Sequence, residues 1–400
     1  MTPLPPSEHL GLARLATRAF RGENLMPLAQ GLLERIQADP REAGAMLDLG
    51  LIFEMAFKPE EGLAWQAQAL EVQRLFRISP ARQVGLRLLM FVSPGEIMAN
   101  VPVQFLLEDS DVRLDLVYVL PDRPLPDGLP EHDLALVGIA ESDANRPLLA
   151  FLEGALAGWP RPVLLDPARI PLLARDRLWI HLADCPGVLV PPTVRLTRAE
   201  VAGLAAGQAP LADLLPGGTY PILLRPTGSH AGKGLEKLDH PDTLAPYLRQ
   251  SSASDFYLSP FVDYRSPDGL FRKYRVSLIA GRPFICHMAL APHWMLHYLN
   301  AGMVEHAERR AEEAKVFATF DQDFALRHAA AFQALQDRIG LDYYALDCGE
   351  TPDGKLLIFE ADTAMVVHTM DPPSLFPYKA PQMLRIFQAF RALLKQRAIR

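Results

Sequence analysis

The chain has 400 residues, of which 49% are hydrophobic and 22% charged, with a formal net charge of −7. That is ordinary globular composition, long enough for two or three domains with sizeable cores, and its acidic balance argues against nucleic acid as a partner while leaving room for a local basic site. Cys185, Cys286 and Cys348 are too few and too scattered for a disulfide framework or a zinc motif, which points to a reducing cytosol, and no apolar run is long enough to span a membrane.

The first ten residues, Met1 to Leu10, lack a basic stretch followed by an apolar one, so no signal peptide is expected. Helical periodicity covers Leu10 to Phe20, Leu25 to Ala38 and Ala43 to Phe57. Lys58-Pro59-Glu60-Glu61 turns into another helix over 60–76, with Pro near its first position and acids in its first turn. The pair 43–57 and 60–76 resembles a tetratricopeptide repeat in its placing of Leu49-Gly50, Phe53, Gly62 and Ala69. Two readings stay open for this region: a cap on the next domain, or a surface for a protein partner or dimer.

Ser79-Pro80 marks a change to strand and helix alternation. Leu86 to Val92 suits a strand buried on both faces, and strands follow at Arg113 to Leu120, Leu134 to Ile139 and Pro162 to Leu165. Helices are expected at Pro102 to Leu107, Leu148 to Ala157 and Ile170 to Ala183. The alternation implies a small parallel sheet, and without Gly-x-Gly-x-x-Gly it is not a dinucleotide-binding domain by fingerprint. Pro191-Pro192-Thr193 links to a new region.

That region opens with a strand, Tyr220 to Pro226, ending in Arg225, then Thr227-Gly228-Ser229-His230-Ala231-Gly232-Lys233-Gly234 and a second strand at Leu235 to Leu238. Glycines let backbone N–H groups approach an anion, and Arg225 and Lys233 add charge. It is not a P-loop, because Gly-Lys-[Ser/Thr] and a following helix are missing. Asp255 to Val262 is another strand, and Phe271 to Ile279 with Phe284 to Leu290 forms a hairpin carrying Lys273 and Arg275 on one face. His293 and His297 stand at i, i+4, the spacing of a helical zinc pair, without a third ligand. Glu305 to Lys315 reads as a solvated charged helix, Asp323 to Ile339 as an amphipathic one capped by Gly340, and Pro381 to Lys395 as a closing helix.

Asp347 to Asp362 reads as a hairpin turning at Pro352-Asp353-Gly354. Asp347 ends its first strand, and Glu360 and Asp362, two apart, share a face of the second. Three converging carboxylates need a cation among them, and hard divalent ions suit oxygen ligands. Cys348 beside them reads as a small buried residue.

The order of these parts (a preceding α/β domain, the Pro-Pro-Thr link, strand, cation and glycine loop, hinge strand, Arg275-Val276 hairpin, and Asp…Glu-x-Asp ending) resembles the ATP-grasp superfamily over about residues 80 to 395, nearest its glutathione synthetase and ribosomal-protein glutamate ligase branch. The resemblance implies an α/β fold with a tetratricopeptide-like helical region over 1–78, a pre-ATP-grasp domain over 79–192 and an ATP-grasp domain over 193–400, its flap at about 193–258 and its catalytic part at about 259–400. It implies ATP and two Mg²⁺ ions, or Mn²⁺, as cofactors, with Asp347, Glu360 and Asp362 as metal ligands. Arg177 and Arg225 stand where the family has phosphate-binding lysines, and Gly228, Ser229, Gly232, Lys233 and Gly234 match the flap over the phosphates. Ser259, Phe261 and Val262 match the hinge that reads adenine, and Asp263 or Asp268 the ribose ligand. Arg275, with Lys273 beside it, matches the arginine facing the transferred phosphoryl group.

Departures from the family are specific. Both lysines are arginines in a chain with only eight Lys among its 40 basic residues, and arginine binds phosphate well. Asp362 replaces an asparagine, and Thr363 to His368 replaces a run of small residues, which puts the acceptor side in question. The activity implied is ATP-dependent ligation of a carboxylate to an amine or thiol through an acyl phosphate, on an amino acid or peptide. A small-molecule kinase and a non-catalytic nucleotide-binding scaffold are the alternatives.

Overall fold

The structure is a computed structural model that describes residues 5–121, 123–229 and 232–399. His230 and Ala231 of the glycine loop, and the first four residues, lie outside the described residues. The fold is α/β, and the chain divides into two compact units. The first runs up to Ile170 and takes back Leu341–Tyr344 and the segment from Thr363 onward; the second is Pro171–Gly340 with Ala345–Asp362.

The first unit begins with β1 (Ser7–Glu8), α1 (Leu12–Phe20), α2 (Met26–Ala38), α3 (Ala43–Met55) and α4 (Pro59–Val72). Gly50 and Gly62 let α3 and α4 touch: a Cβ on Gly50 would lie 2.8 Å from the Gly62 carbonyl. The sequence reads residues 60–76 as helix throughout. Instead α4 ends at Val72, and β2 (Leu75–Ile78) pairs antiparallel with the later strand Val112–Tyr118. The helices are therefore joined to the sheet by β1 and β2.

The sheet continues with β3 (Leu86–Val92), α5 (Val103–Leu106), β4 (Val112–Tyr118), β5 (Leu134–Val137), α6 (Arg146–Ala155) and β6 (Val163–Leu164). Its order is β1-β2-β4-β3-β5-β6, and β3 to β6 are mutually parallel. Leu88, Leu89, Phe91 and all of β5 are fully buried, as expected of strands covered on both faces. Chain order reverses at β3, since β4 lies on one side of it and β5 on the other. Asp115 on β4 is buried between Arg77, its cross-strand neighbour at 2.6 Å, and Arg113 at 2.9 Å.

The second unit holds α7 (Arg175–His181), β7 (Val188–Leu189), β8 (Val194–Thr197), α8 (Arg198–Ala205), α9 (Leu211–Leu214), β9 (Ile222–Pro226), β10 (Glu236–Leu238), α10 (Leu244–Gln250) and β11 (Asp255–Pro260). Strands β10-β9-β11-β8 make an antiparallel sheet whose core includes Leu196, Ile222, Leu224, Leu238, Phe256 and Leu258. Thr197 opens α8 with a capping box: its side chain accepts from the Glu200 amide, and Glu200 accepts from its own.

Next come β12 (Phe271–Ile279), β13 (Arg282–Ala291), α11 (Ala307–Thr319), α12 (Phe324–Arg327), α13 (Ala329–Ile339), β14 (Tyr343–Glu350) and β15 (Leu356–Asp362), with α14 (Lys379–Ala398) in the first unit. A five-stranded sheet has the order β13-β12-β14-β15-β7. The expected hairpin is present, with Gly354 at φ 81° closing its turn onto the Thr351 carbonyl at 2.9 Å. Its first strand runs on to Glu350, so Asp347 lies inside a strand and not at its end.

Two further readings change. His293 and His297 are not on a helix; their segment is a series of bends before a short 3₁₀ turn at Tyr298–Asn300. The charged helix α11 is not solvated all round. Glu313 is fully buried and accepts from the Met288 amide and the Tyr298 hydroxyl, both at 2.9 Å. Among the described residues no helix is long and apolar enough to cross a membrane.

Candidate active site

The site belongs to the second unit and rests on two hairpins, each irregular at one point. Along β14 and β15, Asp347 faces Glu360 and Ala345 faces Asp362, but Cys348 faces Ile358, so Phe359 is an extra residue. Along β12 and β13, Arg275 faces His287 while Val276 faces Ile285, so Cys286 is an extra residue. A bulge re-aims side chains locally. Here each bulge comes one step beyond a charged residue of the site.

Asp347 is 3% exposed. Arg275 grips it with Nε at 2.8 Å and a terminal nitrogen at 3.2 Å, and Lys273 Nζ lies 2.7 Å away. Burial alone would raise its pKa; Arg275 and then Lys273 override that and hold the carboxyl well below its usual range. Burial likewise opposes the charge on Arg275, and Asp347 more than compensates, so its pKa is raised.

Glu360 pairs with Arg175 at 2.7 Å, and Arg175 also donates to the Phe359 carbonyl at 2.9 Å. Dense surroundings oppose ionisation of Glu360, yet Arg175, and then Arg225 and Lys273, keep its pKa low against the repulsion of Asp347. Its side chain keeps 28% of its surface exposed. Asp362 is half-buried on the same face.

Arg225 ends β9 and reaches back into the glycine loop. Its Nε donates to Ser229 Oγ at 3.2 Å, and it also donates to the Ser229 carbonyl. Ser229 Oγ in turn donates to the Pro226 carbonyl at 2.8 Å. Burial, followed by the nearby Arg175 cation, lowers the Arg225 pKa to about 10. Arg225 feels both the Arg175 cation and the Glu360 carboxylate, so two guanidinium groups share this part of the site. Gly228, Gly232 and Gly234 have φ of 67°, 76° and 68°, the left-handed backbone that a loop turning its amides inward requires. Lys233 is exposed on that loop.

The remaining expected residues are placed as follows. Arg177 is exposed on α7; Arg175, two residues earlier, is the one that joins the acids. Ser259 and Phe261 are half-buried at the end of β11, and the Phe261 amide donates to the Pro221 carbonyl at 3.0 Å. Lys237 Nζ sits 4.9 Å from the Phe261 ring centre, and Trp294 meets that ring edge-on. Val262 is half-buried; Asp263 is exposed and paired with Arg265, and Asp268 with Arg272 at 2.7 Å. His287, opposite Arg275 on β13, is close enough to Asp347 to contribute to its lowered pKa. His297 lies near Lys273 and Arg275, and burial followed by these two cations lowers its pKa.

Lys273, Arg275, Arg225, Asp347 and Glu360 are thus brought together. Arg175 was missed because nothing in Arg175-Asp176-Arg177 says which arginine faces inward. The expected convergence of Asp347, Glu360 and Asp362 as ligands of two metal ions is not seen among the described residues. Among the described residues no group of three His, Cys, Asp or Glu is placed to hold a metal. The oxygens suit a hard cation, but both oxygens of Asp347 and one of Glu360 already face protein cations. As arranged, these side chains do not fit a divalent ion; they fit an anion laid against the cations.

No protein family and no curated protein matches the sequence. Among solved structures, the chain is similar to a RimK domain ATP-grasp protein from Sphaerobacter thermophilus, at 17% identity over 77% of this chain and 99% of that one, with a TM-score of 0.40. It is similar to the VanG D-Ala:D-Ser ligase from Enterococcus faecalis, at 14% identity over 78% and 100%, with a TM-score of 0.46. It is also similar to the D-alanine–D-alanine ligase from Bacillus anthracis complexed with ATP, at 13% identity over 78% and 99%, with a TM-score of 0.44.

Proposed function

We propose that this chain is an ATP-grasp enzyme that joins a carboxylate to an amine or a thiol through an acyl phosphate. The observation that carries the reading is the gathering of cations in one place: Arg175, Arg225, Lys273 and Arg275 surround Asp347 and Glu360. Such a cluster suits a polyphosphate, and the glycine loop tied to Arg225 through Ser229 suits its flap.

In this reading the substrate carboxylate oxygen attacks the γ-phosphorus of ATP and ADP leaves. The amine or thiol then attacks the acyl carbon and phosphate leaves. Fixed cations stabilise the charge that builds on the transferring group without rearranging during the step. The nucleophiles are the substrates' own, so the protein's part is to bind, orient and neutralise. The substrate pair is a small amino acid or peptide, with the segment from His287 to Met303 lining its side of the site. Three buried, free cysteines suit a reducing compartment and support a cytoplasmic protein in this reading.

The test is incubation with ATP, Mg²⁺ and pools of carboxylates and amines, scoring ADP and product, with hydroxylamine added to trap an acyl phosphate as its hydroxamate. Carboxylate-dependent ADP with a hydroxamate supports the reading. ADP with a stable phosphorylated product points to a kinase, and tight ATP binding without turnover to a scaffold.

A further inference from the structure

The first unit holds a cavity of about 280 Å³ beside α1, the end of β2 and the start of β4. Pockets for small molecules begin at roughly this size, ~300 Å³. Two arginines and two acids line it, Arg14, Arg21, Glu108 and Asp109, so its wall carries both signs of charge. Ile78, Leu107, Val112 and Leu114 give it an apolar side.

Glu108 is half-buried, and each of its oxygens accepts from one hydroxyl, Thr17 Oγ1 at 3.3 Å and Thr369 Oγ1 at 3.1 Å. Both threonines also line the cavity, so the carboxylate is set in its wall. One hydroxyl donor on each oxygen suits the ionised group, which only accepts, and leaves lone pairs on both oxygens. Among the described residues no cation comes within ion-pair distance of Glu108, although a partly buried carboxylate without one is costly. Burial raises its pKa, and Arg21 is near enough to lower it in part without closing on it. Arg21 is exposed and, among the described residues, its side chain makes no hydrogen bond or ion pair. Arg14 gives one terminal nitrogen to the Ser79 carbonyl at 2.7 Å and pairs with no acid there. A carboxylate and two guanidinium groups thus share one cavity and do not neutralise one another.

We infer that this cavity is a binding site for a free α-amino acid with a small apolar side chain, its ammonium on Glu108, its carboxylate on Arg21 and Arg14, and its side chain toward Val112 and Leu114. Opposite charges held apart on one wall select a ligand that carries both, and discriminate against an ion that carries only one. The inference goes beyond the ligase reading and does not rest on it, because every lining residue belongs to the first unit while Arg175, Arg225, Lys273 and Arg275 belong to the second.

The test is titration calorimetry on the full chain with L-valine and with its two charges taken singly, as isobutylammonium chloride and sodium isovalerate. L-Valine should bind, and each singly charged analogue should bind at least tenfold more weakly. Arg21→Ala and Glu108→Gln should each weaken L-valine roughly tenfold or more, as loss of a charged hydrogen bond does. Circular dichroism checks that both variants fold; the amide replacing the Glu108 carboxyl still meets both threonines, and if that variant unfolds, exposed Arg21 alone decides. Three results would overturn the inference: no heat at saturating L-valine, which would make this a hydrated void; isobutylammonium or isovalerate binding as tightly as L-valine; or undiminished L-valine binding by either folded variant, which would put the amino acid at another site.

Discussion

Replacing Asp347 by Asn removes the charge that holds two cations together. The carboxylate side chain is 4% exposed, while Lys273 and Arg275 are 17% and 20% exposed. Breaking a buried ion pair by removing one partner costs 3–5 kcal/mol, and because the two cations keep some contact with water the lower figure applies, about 3 kcal/mol. For a unit of this size that lowers Tm by roughly 6–12 °C. The pH dependence has a fixed sign. A carboxyl whose folded pKa is depressed contributes fully above its unfolded value, roughly pH 4, and that contribution is lost as pH falls below it. Asp347 is such a group, so the parent should lose stability steeply below roughly pH 4 and the Asn variant less so. The variant also frees Lys273 and Arg275, so its affinity for ATP without metal should rise by about tenfold, worth about 1.4 kcal/mol. Differential scanning calorimetry across pH and equilibrium dialysis of metal-free ATP test the two arms. A variant with unchanged Tm and unchanged metal-free affinity would refute the view that Asp347 is the counter-ion of this pair.

Arg175→Ala should weaken nucleotide binding by tenfold or more in dialysis, whereas Arg177→Ala, on the exposed face of α7, should leave it within twofold; the reverse ranking would return the phosphate role to Arg177. Millimolar Mg²⁺ or Mn²⁺ alone should leave Tm unchanged, because the acids are already compensated, and a rise abolished by Asp347→Asn would reveal a preformed metal site. Asp115→Ala strands Arg77 and Arg113 in the first unit and should cost about 3 kcal/mol in urea unfolding, against a small effect from removing an exposed pair such as Arg18 and Glu23.

What the sequence showed and what it hid follow from how far each feature reaches. The hairpin of Asp347 and Glu360 was legible because period-two alternation and Pro352-Asp353-Gly354 are local signals. Strand β5 was legible as an unbroken apolar run, and β3 as one interrupted only by Arg87. Strand β2 was not: Leu75 to Ile78 follows a helix directly, and only pairing with β4 makes it a strand. Glu313 is one acid among several on a charged helix, and its burial depends on groups at Met288 and Tyr298. The three acids were expected to need an added cation, and the folded chain brings its own to Glu360 and Asp347 from positions 185, 74 and 72 residues earlier in sequence, a distance no spacing rule covers. The bulges left no mark in the sequence at all.

Those two bulges separate the hairpins into independent halves. In a regular ladder the choice of face at one end dictates the choice at the other, so a slip of one residue anywhere inverts every side chain. An extra residue at Phe359 and another at Cys286 reset that alternation just beyond Asp347 and Arg275. The hairpin tips can therefore satisfy the hydrophobic interior with one phase of alternation while the charged ends answer to another. Removing Phe359 would restore an ideal ladder and bring the two phases into conflict.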